Sequence, residues 1–499
     1  MATEAHTSAS PLAAVQVEEG SDLQRLLEQD FRPPTAEAQS TIEKAVQSLA
    51  QQALSGVDLR KGDAVQTIDA IIAAIDAKVG RQLDSIMHHP DFQKLEGAWR
   101  GLKYLVDNTE TDETLKIRVM HVKKDELGKM FRKFEGIAWD QSPLFKAIYE
   151  AEYGTLGGAP YGCLVGDYQF DQTPPDIEIL SGMAKIAAAA HAPFVSSPSP
   201  ALFQMKSWQE LANPRDLTKI FEMPEYAEWR AFRKSEDSRY VGLAMPRFLA
   251  RLPYGASTNP ATDMAYEEKV EQGHHESYTW ANSAYAMATN ITRAFKLYGW
   301  TTAIRGVESG GNVDKLKMHT FASDDGGVDI KCPTEIAITD RREGELAKNG
   351  MLALVHRKNS NEAVFMAGDS VHKPPVFDDA GATANARLGA RLPYIFATCR
   401  FAHYLKCMVR DKVGGFTSAS TMQRYLQDWI LNYVYEDTSA PIETLAARPL
   451  AGAEVTVVEN KANPGYYNAQ FFLRPHYQLE GLNVGLRLVS ELPSQRGAA

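Results

Sequence analysis

Apolar residues between positions 65 and 110 fall at helical spacing. Ile68, Ile71, Ile72, Ile75, Val79, Leu83 and Ile86 mark one amphipathic face, and Phe92, Leu95, Trp99, Leu102 and Leu105 mark a second. His88-His89-Pro90-Asp91 lies between them, where the proline predicts a break and the histidines a turn or cap. Residues 115–122, Leu-Lys-Ile-Arg-Val-Met-His-Val, alternate as a strand, and a helix is expected to follow through Met130 and Phe134. From 143 to 370 the two periods interleave. Residues 161–168, 193–196 and 240–245 read as strands, and 177–191 and 280–298 as helices. Ile330, 336–338, 352–355 and 364–366 read as further strands. This alternation predicts an α/β fold, α+β in its mixture, with a central mixed-sheet body.

After a connector at 373–379, helices are expected at 391–412 and 420–434, followed by a β-rich end. There Leu482, Val484, Leu486 and Leu488 alternate with Asn483, Gly485, Arg487 and Val489, a strand with one fully apolar face. Phe471, Phe472 and Leu473 precede it as an expected partner strand, with Glu480-Gly481 between. An apolar strand with unpaired edges suits pairing with another chain as well as an ordinary hairpin.

The first 60 residues are different in kind. They hold nine acids and four bases, a net charge of −5, and one aromatic residue, Phe31. Such a segment cannot bury enough apolar surface to fold alone and reads as a disordered tail. One island interrupts it. Ser21 with Gln24 opens a capping box, Leu23, Leu26, Leu27 and Phe31 share a helical face, and Pro33-Pro34 ends it. A helix this short is unstable in isolation, so it either folds into a partner's groove or packs back on its own body. The chain therefore divides into a tail (1–60), an α/β body (61–373) and a terminal module (374–499).

Charge and composition narrow the function. Across 499 residues the net charge is 53 − 63 = −10, which argues against a generic basic nucleic-acid binder. The sign inverts between 383 and 413, where Arg387, Arg391, Arg400, Lys406, Arg410 and Lys412 face one acid, Asp411. Cys163, Cys332, Cys399 and Cys407 form no C-x-x-C pair and read as reduced apolar residues. The N-terminus lacks the basic and apolar regions of a signal peptide. The longest apolar run, near Ile186, falls far short of the ~20 residues that span a bilayer. A cytoplasmic protein is expected, without membrane insertion.

Catalytic signatures are missing: no phosphate-binding loop, no G-x-G-x-x-G, no nucleophile elbow and no H-E-x-x-H. The glycine-rich run 305–311 and Asp324-Asp325-Gly326-Gly327 read as turns, and His274-His275-Glu276 as a solvated loop or helix start. Asp340, Glu343 and Glu345, interleaved with Arg341 and Arg342, read as a solvated or salt-bridged face. No catalytic, cofactor or metal-binding residue is nominated. The competing class is a cytoplasmic α/β enzyme whose site carries no short motif.

Four longer strings point further. They are His89-Pro90-Asp91-Phe92-Gln93-Lys94-Leu95-Glu96-Gly97-Ala98-Trp99-Arg100-Gly101-Leu102; Tyr298-Gly299-Trp300 with residues 304–311; Lys331-Cys332-Pro333-Thr334-Glu335-Ile336 running on to Glu343; and Phe472-Leu473-Arg474-Pro475-His476-Tyr477-Gln478-Leu479. In this order they resemble the large contractile-sheath subunit of bacterial type VI secretion systems, the TssC/VipB family, over residues 60–493. The resemblance implies a bacterial cytoplasmic structural protein that pairs with a small sheath subunit, TssB/VipA. Copies polymerise around an Hcp tube on a baseplate, contract to propel the tube and spike, and are dismantled by the ClpV unfoldase. It also implies a terminal module similar to gpW-like phage tail proteins, with strands shared between neighbours. Within the family's pattern, Leu23, Leu26, Leu27 and Phe31 fit a ClpV-binding helix. Residues 471–473 with Leu482, Val484, Leu486 and Leu488 fit the inter-subunit strands, and Arg400, Lys406 and Arg410 fit a tube-facing surface.

Overall fold

The computed structural model describes residues 64–478, apart from 214–215, 263, 271–274, 323–326, 416–417, 438, 460–466 and 477, together with residues 40, 41, 44 and 48. The tail helix, the Asp324 turn, His274 and the strand at 482–488 therefore lie outside the described residues. Among the described residues two compact units emerge, residues 64–87 with 253–269, and residues 88–252 with 270–478.

In the first unit, helix α1 (Ala64–Met87) carries Asp84, whose carboxylate accepts the Tyr266 hydroxyl at 2.7 Å. The Tyr266 ring lies against Gly80, one turn away.

The second unit begins with α2 (Pro90–Asp107), which starts as the sequence requires: Pro90 occupies the first turn and the His89 ring accepts the Asp91 N–H. Helix α3 (Lys124–Lys133) follows, and the core of the unit is a six-stranded mixed sheet. Strands β1 (Leu164–Phe170), β2 (Phe194–Pro198) and β3 (Val241–Met245) run parallel. The short pair β4 (Phe248–Leu249) and β5 (Trp280–Ala281) lies outside this sheet, as does the exposed hairpin β7 (Thr320–Ala322) and β8 (Val328–Ile330). The main sheet continues from β3 to parallel β9 (Met351–His356), then to antiparallel β10 (Ala363–Phe365) and β6 (Asn312–Val313).

Helices cover both sheet faces, which is why these strands read as continuous apolar runs. Phe194, Leu243, Met351 and Ala353 face the core built by α4 (Pro174–Ala190). Val195, Ala244, Leu352 and Leu354 face the core built by α5 (Ser283–Tyr298). Each such buried Leu, Val or Phe contributes about 1.5–3 kcal/mol relative to exposure. Helix α6 (Asp340–Lys348) precedes β9 and packs on it, and α7 (Ala380–Leu388) leads into the helices of the terminal module. That module comprises α8 (Leu392–Asp411), α9 (Ala419–Leu431), α10 (Ile442–Ala447) and the antiparallel pair β11 (Leu450–Glu459) and β12 (Tyr467–Pro475).

Several expectations are corrected. Residues 115–122 join no ladder: Ile117 is half-buried in a cluster with Leu105, Tyr285 and Val165 of β1, the Val122 carbonyl accepts from the Tyr168 hydroxyl of β1, and Val119 and Met120 are exposed. Residues 336–338 are loop, since Glu335 turns its carboxylate to Arg247 and Thr339 starts α6. Trp280 belongs to β5, and the helix begins after Asn282, whose side chain accepts the Ala284 N–H. Asp379 caps the unexpected α7 by accepting the Ala382 N–H.

Candidate functional site: a strand edge and a cleft on the terminal module

The core of the terminal module is aromatic. Trp300, at the end of the Tyr298-Gly299-Trp300 string, stacks on Phe401 of α8 at 4.1 Å between ring centroids. Tyr433 and Trp429 close around them. Leu405, Met422, Leu426 and Ile430 extend this core to Leu450, Val455 and Val457 of β11.

Phe471, Phe472 and Leu473 lie in β12, as a strand; the partner expected for them at 482–488 lies outside the described residues. The three pair with Val455, Glu454 and Ala453 of β11. Alternation decides the pairing: Val455 and Val457 point into the aromatic core while Glu454, Thr456 and Val458 face solvent. The β12 side chains divide the same way, with Ala469, Phe471 and Leu473 half-buried and Gln470 and Phe472 exposed.

The two edges of this hairpin differ. On β11, the Gln427 Oε1 accepts the Val455 N–H at 2.8 Å, and its Nε2 donates to the Ala453 carbonyl at 3.1 Å. Gln423 Oε1 accepts the Val457 N–H at 3.2 Å. Among the described residues, no strand pairs with β12 on its other side. The sequence reading missed Gln423 and Gln427. Their signal was a polar pair four residues apart beside the apolar row Met422, Leu426 and Ile430.

Within the second unit, a cleft of about 790 Å³ lies where the terminal module meets residues 302–369. Three of the four strings meet there: Arg305 and Glu308 from one, Glu343 from another, Pro475, His476 and Gln478 from the last. Arg305 Nε donates to Gln478 Oε1 at 2.6 Å, Gln478 Nε2 donates to the Thr302 carbonyl, and the Gln478 N–H reaches the Tyr394 hydroxyl. The glycine-rich run is a turn, as expected; Gly310 has φ +82°, and a Cβ there would meet the Ala303 carbonyl at 2.2 Å. Burial pushes the Asp369 carboxyl up despite Arg391 at 3.9 Å, and burial with the nearby Asp369 charge pushes Glu343 up. Glu343 therefore departs from its expected salt-bridged face, while Glu345 keeps to it by accepting from Arg341 and Arg342.

The other strings also act as joints. Glu96 accepts from Arg100 and Arg251, both at 2.7 Å, and from Thr279 at 2.9 Å. Glu335 accepts two bonds from the Arg247 guanidinium and lies 3.4 Å from His275 Nε2. Burial alone would push the Glu335 carboxyl up, but Arg247 and His275 outweigh it and hold it below the ordinary value. His275 is thus buried and stacked on Trp280 at 4.5 Å rather than solvated, and it opens a short 3-10 helix, His275–Ser277, as the other expectation for this stretch had it.

The bases of α8 are half-buried and engaged within the chain. The Arg400 guanidinium sits 4.7 Å from the Tyr404 ring centroid, Lys406 Nζ lies 3.5 Å from that of Tyr153, and Arg410 donates to the Thr155 carbonyl. Such cation–π contacts are worth about 0.5–2 kcal/mol each. Among the described residues no group of His, Cys, Asp and Glu side chains could hold a metal, and no helix is long and apolar enough to cross a membrane.

Residues 69–372 match the EvpB/VC_A0108 tail sheath N-terminal domain, and residues 381–492 match the tail sheath gpW/gp25-like domain. The type VI secretion system sheath protein TssC1 of Pseudomonas aeruginosa is 63% identical over 482 residues, covering 96% of this chain and 97% of that protein. Two solved structures, the baseplate and the contracted helical sheath of the anti-feeding prophage, are similar over 79% and 78% of this chain and 87% and 86% of theirs. Their TM-scores are 0.36 and 0.34, at 12% and 11% identity. The chain belongs to the TssC/VipB family of type VI secretion contractile-sheath proteins.

Proposed function

We propose that this chain is the large structural subunit of a type VI contractile sheath, pairing with the small sheath subunit TssB/VipA and polymerising with its own copies around an Hcp tube on a baseplate. Contraction propels the tube and its spike, and ClpV dismantles the contracted lattice. The observation that carries the reading is the β11–β12 hairpin, whose β11 edge is taken up and whose β12 edge is paired by no other strand among the described residues, in a chain matched along its length to a sheath protein. An open edge accepts a further strand through main-chain bonds that survive rotation of the bodies they join. Residues 471–473 supply that edge, and Leu482, Val484, Leu486 and Leu488 supply the strand that a neighbour donates.

The remaining assignments follow the same reading. Leu23, Leu26, Leu27 and Phe31 form the handle for ClpV. Tube contact belongs to the basic run 383–413, through the half-exposed Arg400, Lys406 and Arg410 of α8 together with the exposed Arg387 and Lys412. Contraction draws on two packings of the same subunits, a recognised source of large motion. The cell compartment is the bacterial cytoplasm.

Co-expression with the small subunit tests this reading. Long tubules are expected by negative-stain electron microscopy, and deletion of residues 482–499 should abolish them. Small discrete oligomers from the intact pair would favour the enzyme alternative.

A further inference from the structure

The glutamines on α9 make contacts that the sheath reading does not require. In an antiparallel ladder, alternate residues of a strand point their main-chain groups to opposite sides. Ala453, Val455 and Val457 bond to Gln427 and Gln423, so their groups point away from β12. Glu454, Thr456 and Val458 must then carry the ladder to Phe472, Gln470 and Asn468. By the same alternation, Ala469, Phe471 and Leu473 direct their N–H and C=O groups to the open side of β12.

The glutamine pair fits β11 for a geometric reason. Residues i and i+4 of a helix rise about 6.0 Å, and residues i and i+2 of a strand advance about 6.6 Å. A carboxamide has the donor and acceptor of a peptide group. Gln427 uses both, on the Ala453 carbonyl and the Val455 N–H, as an incoming strand would. A leucine at 427 would extend the apolar row of α9 and leave that edge open.

We infer that Gln423 and Gln427 are edge guards: they occupy the outer edge of β11 and thereby direct strand addition to β12 alone. This rests on the strand-sharing reading above. The occupant of the β12 edge is the 482–488 segment of a second copy. Its one-sided pattern continues that of β12: Val484, Leu486 and Leu488 match the inward row Ala469, Phe471 and Leu473, while Asn483 and Arg487 match the outward row Gln470 and Arg474. Gln478, four residues before that segment, is tied to Arg305, Thr302 and Tyr394 of the cleft, so the described chain ends away from a tight turn on β12.

Paired cysteines test the inference in full-length chain co-expressed with the small subunit, in a background lacking the four native cysteines. One tagged copy carries Gln470→Cys (β12) or Thr456→Cys (β11), both solvent-facing; a second, differently tagged copy carries Asn483→Cys, Gly485→Cys or Arg487→Cys. Oxidation of purified tubules should cross-link at least one β12 pair between tags, at ten times or more the yield of any β11 pair. With Gln423→Leu and Gln427→Leu added, β11 cross-links should rise to a yield comparable with β12, and the tubules should lose regularity. Cross-links to β11 with both glutamines intact, β11 yields unmoved by their loss, or cross-links confined to one tag would each overturn the inference while regular tubules leave the sheath reading standing. Absence of tubules from the cysteine-free parent pair would count against the sheath reading and, with it, this inference.

Discussion

Glu343 reaches the cleft from the first turn of α6, where burial and the neighbouring Asp369 charge push its carboxyl above the ordinary value. A carboxyl whose folded pKa is raised binds its proton more tightly in the folded state. Its favourable contribution is complete below the ordinary unfolded value and is lost as pH rises through the raised folded value. Glu343→Gln should therefore raise the melting temperature at pH 8 more than at pH 5; a gain of equal size at both would show that the charge is not responsible. His403 has the opposite sign. It is 2% exposed, its Nε2 meets the Ala190 carbonyl at 2.8 Å, and burial lowers its pKa to about 4. Its neutral ring favours folding above the unfolded histidine value, and that contribution falls away as the pH drops from about 6.5 towards 4. His403→Gln should flatten this acid limb in thermal melts across that range. Neither group was legible from the sequence, because both shifts come from residues far along the chain.

Among the elements, α2 shows how a helix pattern divides between packing and exposure. Gly97, Gly101 and Leu105 form its buried row against β5 and α5. Leu95, Trp99 and Val106, 57%, 64% and 48% exposed, form a row on the other side. The sequence announced the helix through Phe92, Leu95, Trp99, Leu102 and Leu105, and so placed its apolar positions on a single core face. The buried row is in fact mostly glycine, because the backbone of Trp280 comes close enough to exclude a side chain. A Cβ at Gly97 would lie 2.4 Å from the Trp280 carbonyl oxygen. Glycine to alanine in a helix interior gains about 1 kcal/mol in propensity, and overpacking costs about 1–3 kcal/mol. The contact is with backbone, which cannot rotate aside, so the clash wins. Gly97→Ala should lower stability in denaturant titrations, whereas Trp99→Glu should leave it within about 0.5 kcal/mol. An exposed apolar row on a rigid helix is suited to assembly, so Trp99→Glu should shorten or abolish tubules while the subunit stays folded.

For the whole molecule, the decisive quantities are charge distribution and the order of joints. Half of the −10 net charge lies in the first 60 residues. If the island at 21–31 is the ClpV handle, Leu26→Glu with Leu27→Glu should abolish ClpV pull-down and leave tubules intact; unchanged pull-down would remove that assignment. Much of this protein was determined by its sequence alone. Runs of Val, Leu, Ile and Ala fixed the strands covered on both faces, as at 241–245 and 351–356, since a strand buried twice has no polar alternation to hide it. Pro90 with the His89 cap marked a helix start, because both act within one turn. Four strings were distinctive enough to mark the family. What only the tertiary structure decided was which groups meet: β12 with β11, Gln427 with the outer edge of β11, Glu343 with Asp369, and Gln478 with Arg305. Partner choice for a strand or a buried charge depends on contacts distant in sequence, where periodicity carries no information. There the close approach of backbone, and the cost of leaving a polar group unpaired, select one arrangement.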